Sequence, residues 1–336
     1  MKNRIIFTCL MLLLLSSLAD AKIVFVGGGM PEAGKEGDIY VIDDDGSNLR
    51  NMTNTSEREL NPKWSPDGKR IAFERERPPH DGRQVINIFI MDADGGNERR
   101  LTNRHALDSH PRFLPGGKQL CFLTNVDGES ALHIIDLESG DVEQKVEGFI
   151  AAPDWSPDGQ HIVYGDRGDI YIMGSNFRNR KALLPWPLRD KNIPDDINIG
   201  FFERYHGQWS PDGRKVLYTE TTYSDKGEPV SSNIFLHDMR SNAQEKLPFH
   251  KDWRVQRLKY MADGKTIILG ADETGIKNRR HGTYNIYRYH IPSDTMTQLT
   301  HLQGENHSPD WVEGALDVSP KEKKPVAWGE VKRDSQ

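Results

Sequence analysis

The chain has 336 residues, with 50 acidic against 44 basic side chains and a formal charge of −6. A mildly acidic balance of this kind argues against general nucleic-acid binding. There are two cysteines, Cys9 and Cys121. If the first leaves with a leader, no internal disulfide can form, and an apolar core must hold the fold. Roughly 300 residues can bury about three quarters of their extended surface, which is enough.

In chain order, Lys2 and Arg4 precede the apolar run Ile5 to Leu18, and Ala19-Asp20-Ala21 follows as a small-x-small site. This is the layout of a secretory signal peptide over residues 1–21, too short and wrongly flanked for a spanning helix. Cys9 sits inside the apolar run, which argues against a lipid-anchored mature terminus. No later apolar stretch approaches the ~18–20 residues that cross a bilayer. The expectation is an exported, periplasmic or secreted chain starting near Lys22, with no transmembrane segment.

Three short β-branched and aromatic runs come next: Ile23–Val26, Asp38–Ile42 and Leu49–Met52. Then one phrase recurs. It reads Asn61-Pro-Lys-Trp64-Ser-Pro-Asp-Gly68, His110-Pro-Arg-Phe113-Leu-Pro-Gly-Gly117 and Ala152-Pro-Asp-Trp155-Ser-Pro-Asp-Gly159. It continues as His206-Gly-Gln-Trp209-Ser-Pro-Asp-Gly213, Arg257-Leu-Lys-Tyr260-Met-Ala-Asp-Gly264 and a shortened Ser308-Pro-Asp-Trp311-Val-Glu-Gly314. A repeat of roughly 40–50 residues built from short strands signals a β-propeller. After Trp155, for example, come His161–Tyr164, Asp169–Met173 and Lys181–Leu184, so each unit holds four strands, one blade.

Nothing comparable follows Trp311. The three N-terminal strands supply the missing pieces, which predicts an all-β, six-bladed propeller over residues 22–316. Its ring closes by pairing three N-terminal strands with one C-terminal strand, leaving no open sheet edge there. Residues 317–336 read as a flexible tail. Cys121, in Gln-Leu-Cys-Phe-Leu, reads as a buried small apolar residue. The Ser-Pro-Asp-Gly turns place Pro where φ near −65° is wanted and Gly where a left-handed residue is needed. Asp43–Gly46 and Asp92–Gly95 read as hairpin turns. Their likeness to a calcium loop stops at the twelfth position, Asn54 or Asn103, which lacks the bidentate carboxylate.

The turns within each phrase are short and uniform. Gly29–Gly37, Glu74–Ile86, Thr219–Ser232, Ala271–Thr283 and above all Pro185–His206 are long and read as irregular loops on the opposite face. Function concentrates on variable loops held by a rigid scaffold. Pro185–His206 carries Trp186 and Tyr205 among charges that include Glu203, which suits either a recognition surface or a cap packed over the channel. Three residues before each aromatic stand Asn61, His110, Ala152, His206, Arg257 and Ser308, and by the repeat they surround the channel mouth. With His307 beside them, such a ring could hold a metal, an anion or the end of a peptide, or simply bind water.

The Trp-Ser-Pro-Asp-Gly repeat, followed by runs such as Asp-Ile-Tyr-Val-Ile and Arg-Arg-Leu-Thr, resembles the PD40 (WD40-like) repeats of TolB-like propellers from about Lys22 to Ala315. Trp64, Trp155 and Trp209 head the closest copies, and the Phe113 and Tyr260 copies depart from the pattern. The resemblance implies an envelope propeller that binds partner proteins, though TolB itself has an α/β domain before the propeller, where here the first strand begins at Ile23. Prolyl-oligopeptidase-type enzymes also resemble these blades, but no Gly-x-Ser-x-Gly elbow exists here. Oligogalacturonate lyases are similar too, and that resemblance implies a divalent metal on His110, His206, His307 and Gln208, with Arg257 near a sugar carboxylate. The expectation is therefore a non-catalytic monomer without a cofactor. It binds a protein, peptide or glycan through Asn61, His110, His206, Arg257, Glu203, His307, Trp186 and Tyr205. The alternative is a metal-dependent polysaccharide lyase.

Overall fold

The computed structural model describes residues 21–30, 37–184, 199–249, 253–274 and 284–313, except the side chains of 199–202 and 256. The predicted leader up to Asp20, Trp186 and the tail 317–336 lie outside them. The described residues form an all-β propeller. Strands β1 (Lys22–Gly29), β2 (Asp38–Asp43) and β3 (Arg50–Asn51) make one sheet with the last strand, β24 (Glu305–Val312). Ile23 pairs with Ile42 on one side and Trp311 on the other, so the start and end of the fold share a sheet.

Next come β4 (Glu59–Trp64), β5 (Arg70–His80), β6 (Arg83–Asp92) and β7 (Arg99–Arg100). They are followed by β8 (Leu107–Phe113), β9 (Gln119–Val126), β10 (Glu129–Asp136) and β11 (Val142–Glu147). These eight strands join into one sheet, because Ile86 of β6 makes a parallel pairing with Leu107 of β8. Three further four-stranded sheets follow. The first is β12 (Ala151–Trp155), β13 (His161–Asp166), β14 (Asp169–Gly174) and β15 (Lys181–Ala182). The second is β16 (Ile199–Trp209), β17 (Lys215–Ser224), β18 (Pro229–Asp238) and β19 (Gln244–Lys246). The third is β20 (Arg254–Tyr260), β21 (Thr266–Asp272), β22 (Tyr284–His290) and β23 (Thr295–Gln298). Where the repeat predicts six separate four-stranded sheets, the described strands fall into five, one of them double.

The phrase-bearing strands β4, β8, β12, β16, β20 and β24 each lie beside the next, and β24 lies beside β4. Side chains alternate across each strand, so one strand feeds two cores. Ile71 and Phe73 pack with Val24, Val26 and Val41 of the N-terminal sheet, while Ala72 between them packs with Phe113, Leu120 and Phe122. Likewise Ile162 and Tyr164 meet Cys121 and Leu132, whereas Val163 meets Trp209, Val216 and Tyr218.

The recurring turn is a small hydrogen-bond device. Ser65, Ser156 and Ser210 each donate from Oγ to the Asp two residues on, at 2.6 Å in all three. The same Oγ accepts the backbone N–H of the next strand's first residue at 2.9 Å. Where Met261-Ala262 replaces Ser-Pro, Thr266 supplies the hydroxyl to Asp263 at 2.6 Å.

Two segments differ from the expected irregular loops. Glu74–Ile86 is largely the end of the β5–β6 hairpin, turning at Asp81-Gly82, and Thr219–Ser232 is largely the end of β17–β18. The C-terminal part of Pro185–His206 is also strand, since β16 starts at Ile199 and runs opposite β17. Cross-strand pairing extends here beyond the core, and these strand ends carry charges and threonines instead of alternating apolar residues.

Candidate functional site

All six residues three places before the aromatics have positive φ: Asn61 50°, His110 56°, Ala152 46°, His206 60°, Arg257 48° and Ser308 57°. At each, the pairing with the neighbouring strand shifts register, between Leu60 and Lys63 for example, or between Tyr205 and Gln208. Every phrase-bearing strand is thus bulged at the same point, and the proline that follows in four of them (62, 111, 153 and 309) is tolerated there because a bulge frees its missing N–H. Asn and His enter the left-handed region more readily than most residues, which accounts for part of the composition at this level. Arg257 and Ala152 have no such excuse and carry strain.

Two levels of side chains result. Asn61, His110, Ala152, His206 and Arg257 line a cavity of about 30 Å³ together with a lower set, Lys63, Arg112, Gln208 and Lys259. His307 and Ser308 are not among its lining residues. His307 instead pairs with Val26 in the sheet, its Nδ1 2.9 Å from the Ser308 hydroxyl. Sequence reasoning overlooked most of the lower set, which stands one residue before each aromatic. There the Arg112 guanidinium pairs with Asp154 and donates to Gln208 Oε1 at 3.1 Å, and Lys259 pairs with Asp310. The two aspartates also accept backbone N–H groups from neighbouring sheets, Asp310 from Trp64 and Asp154 from Trp209, both at 2.9 Å. These cross-sheet bonds tie the central strands together.

Burial is the main force on the titrating groups. It pushes the His110 imidazole down to about 3 and His307 to about 4, helped in both by the Arg257 charge. His206 is driven well below its ordinary value for the same reasons, and its Nδ1 has no hydrogen-bond partner among the described residues. Burial takes the Lys63 ammonium down to about 7 against the pull of Asp310. The Glu74 carboxyl, on β5, is raised by burial while accepting from Asn61 Nδ2 and the His110 backbone N–H, both at 2.6 Å.

Above the cavity lies a cleft of about 650 Å³ that shares His110, Ala152, His206 and Arg257 with it. Its walls include Phe149, Tyr205, Tyr223, Arg254 and Tyr284. Phe149 is 42% exposed and Tyr205 37%, large apolar surfaces left open to solvent. Tyr205 tilts against His206 at 5.8 Å and, with Tyr223, directs its hydroxyl to Glu203. Arg204 is fully buried behind them, joined to Glu220 at 2.8 Å and to Asp169 of the preceding sheet at 3.1 Å, so this wall is fixed. Tyr205, Glu203, His206 and Arg257 therefore stand in or beside one cleft. Phe149, Tyr223 and Arg254 were not foreseen, as none lies in the repeated phrase.

Of the four residues His110, His206, His307 and Gln208, all but His307 line the small cavity. Among the described residues no group of three or more His, Cys, Asp or Glu is placed to hold a metal, and Gln208 Oε1 is engaged by Arg112.

With this geometry in hand, comparison with known proteins is informative. The PD40 family, described as the TolB beta propeller domain, matches residues 79–184. TolB from Acinetobacter baumannii superposes with a TM-score of 0.66 at 18% identity, over 87% of this chain and 66% of that one. The fold is a TolB-like β-propeller. A putative TolB from Agrobacterium tumefaciens superposes with a TM-score of 0.57 at 15% identity, covering 86% of this chain and 91% of that chain. An uncharacterized protein of Agrobacterium fabrum is 29% identical over 167 residues, 48% of this TolB-like chain and 46% of the relative. The chain thus spans about half the length of that curated relative. No helix among the described residues is long and apolar enough to cross a membrane.

Proposed function

We propose that this TolB-like propeller is an exported, non-catalytic binding module, monomeric and six-bladed, working in the periplasm or as a secreted protein. The eight-stranded sheet reads as two blades, since its halves meet at one pairing between Ile86 and Leu107. The observation that carries the binding role is the cleft of about 650 Å³, whose exposed Phe149 and Tyr205 stand over a funnel into the channel. Aromatic surface beside arginine in a desolvated recess is the usual make-up of an interaction hot spot. The support for export is the leader-like start, Lys2 to Ala21. A protein partner is favoured over a glycan by the resemblance to TolB.

A photo-crosslinking residue at Tyr205, compared with one at Lys118 in a uniform turn on the other face, tests the reading in envelope extract. A discrete adduct from Tyr205 alone is expected. Equal labelling from both positions, or tightly held metal together with release of unsaturated uronates, contradicts it.

A further inference from the structure

Charge is unevenly matched at the channel mouth. Arg112 is paired with Asp154, and Lys259 with Asp310. The Glu74 carboxylate already accepts from Asn61 and the His110 backbone. Arg257 and Lys63 remain; among the described residues neither makes a hydrogen bond or an ion pair within 4 Å, and each feels an acid only from farther off, Arg257 the Glu74 carboxyl and Lys63 Asp310. Both line the same small cavity. Both side chains are partly buried, where a cation without a close partner is costly, and a guanidinium held by a left-handed backbone is strained as well. His206 adds beside them a buried ring nitrogen without a partner among the described residues.

Resting on the binding role above, we propose that this mouth is a carboxylate site. Arg257 and Lys63 hold the carboxylate of a peptide, at its chain end or on an acidic side chain, while the rest of the peptide lies in the aromatic cleft. Size selects the peptide. At about 30 Å³ the cavity has room for about two water-sized groups, the two oxygens of a carboxylate. An acidic side chain presents that group on a narrow methylene stalk and a chain end on an open-chain Cα, whereas a uronate carries it directly on a closed pyranose ring too wide to follow. The guanidinium offers a planar fork to the two oxygens, and the ammonium completes the charge. Entry is from the cleft, through the gap between His110, Ala152, His206 and Arg257 that the two cavities share. Burial and neighbouring cations leave Lys63 at about 7, so an arriving anion also restores its charge.

The test titrates the full mature chain with acetate, using chloride at equal ionic strength as the control, while following the imidazole resonances of His110 and His206. A saturable shift specific to acetate is expected. It should be lost in R257Q and K63Q, and weakened in R257K, which retains the charge but not the planar fork. The tetrapeptide N-acetyl-Tyr-Ser-Gly-Phe should then bind at least tenfold tighter with a free C-terminus than amidated, and that ratio should fall to about one in R257Q. Acetate behaving as chloride, an unchanged ratio in R257Q, or trigalacturonate preferred to the free-ended peptide would each overturn the assignment. Loss of the carboxylate effect with the Tyr205 adduct intact would sink this proposal and leave the binding role standing.

Discussion

Six residues of different chemistry, Asn61 to Ser308, adopt one backbone conformation. Their spacing from the aromatic was legible in the sequence; the positive φ was not, because it follows from a bulge that only the paired strand defines. The lower set escaped notice for a related reason. Lys63, Asp154 and Lys259 alternate with apolar neighbours and look like a solvated strand face, yet that face is the channel. The imidazoles give a prediction at this scale. His110 stays neutral in the fold down to about pH 3, whereas an unfolded chain protonates it near 6.5. The unfolded state therefore binds more protons over that window, and stability falls as pH drops from 6.5. Each such histidine contributes at most about 1.4 kcal/mol per pH unit, less where channel water reaches the ring. His206 and His307 act in the same direction. His110→Asn keeps a side chain that accepts the left-handed backbone and leaves the N–H to Glu74 intact. Urea midpoints from pH 7 to 4.5 should decline more gently in that variant than in the parent; parallel declines contradict the account.

Between elements, the telling group is Asp310. It accepts the Trp64 backbone N–H across the sheet boundary, pairs with Lys259 and lies 3.9 Å from the Arg112 guanidinium. Burial raises its carboxyl, but Lys259, Lys63 and Arg112 outweigh that and hold it below the usual range. Asp310→Ala leaves these cations uncompensated, and removal of one buried partner typically costs about 3–5 kcal/mol. Asp310→Asn keeps an acceptor for Trp64 and should lose less. Thermal or urea unfolding measures both, and a loss under about 1 kcal/mol for the alanine variant, small even for a surface pair, speaks against the network. The strands themselves were mostly readable, since β-branched and aromatic runs separated by Pro-Asp-Gly turns have few alternatives. Their lengths were not. Arg75-Glu-Arg77 and Thr219 to Ser224 continue as strand with polar side chains, several of them buried, so the alternating apolar signal fades there.

At the level of the molecule, the leftover phrase at Trp311 and the three unaccompanied strands at the start made joint pairing legible, as one shortfall matched the other. The merging of β4–β11 into one sheet was not, because it depends on the single approach of Ile86 to Leu107. Everything proposed for the mouth depends on the ring of central strands being closed by β24, which lies between β20 and β4 and pairs with β1. Truncation after Gly304 addresses this most directly. Without β24, the chain should lose cooperative unfolding, and a synthetic peptide spanning Glu305 to Glu313 added in trans should restore it. A truncated chain that melts at the parent temperature and ignores the peptide would show that the last strand closes nothing.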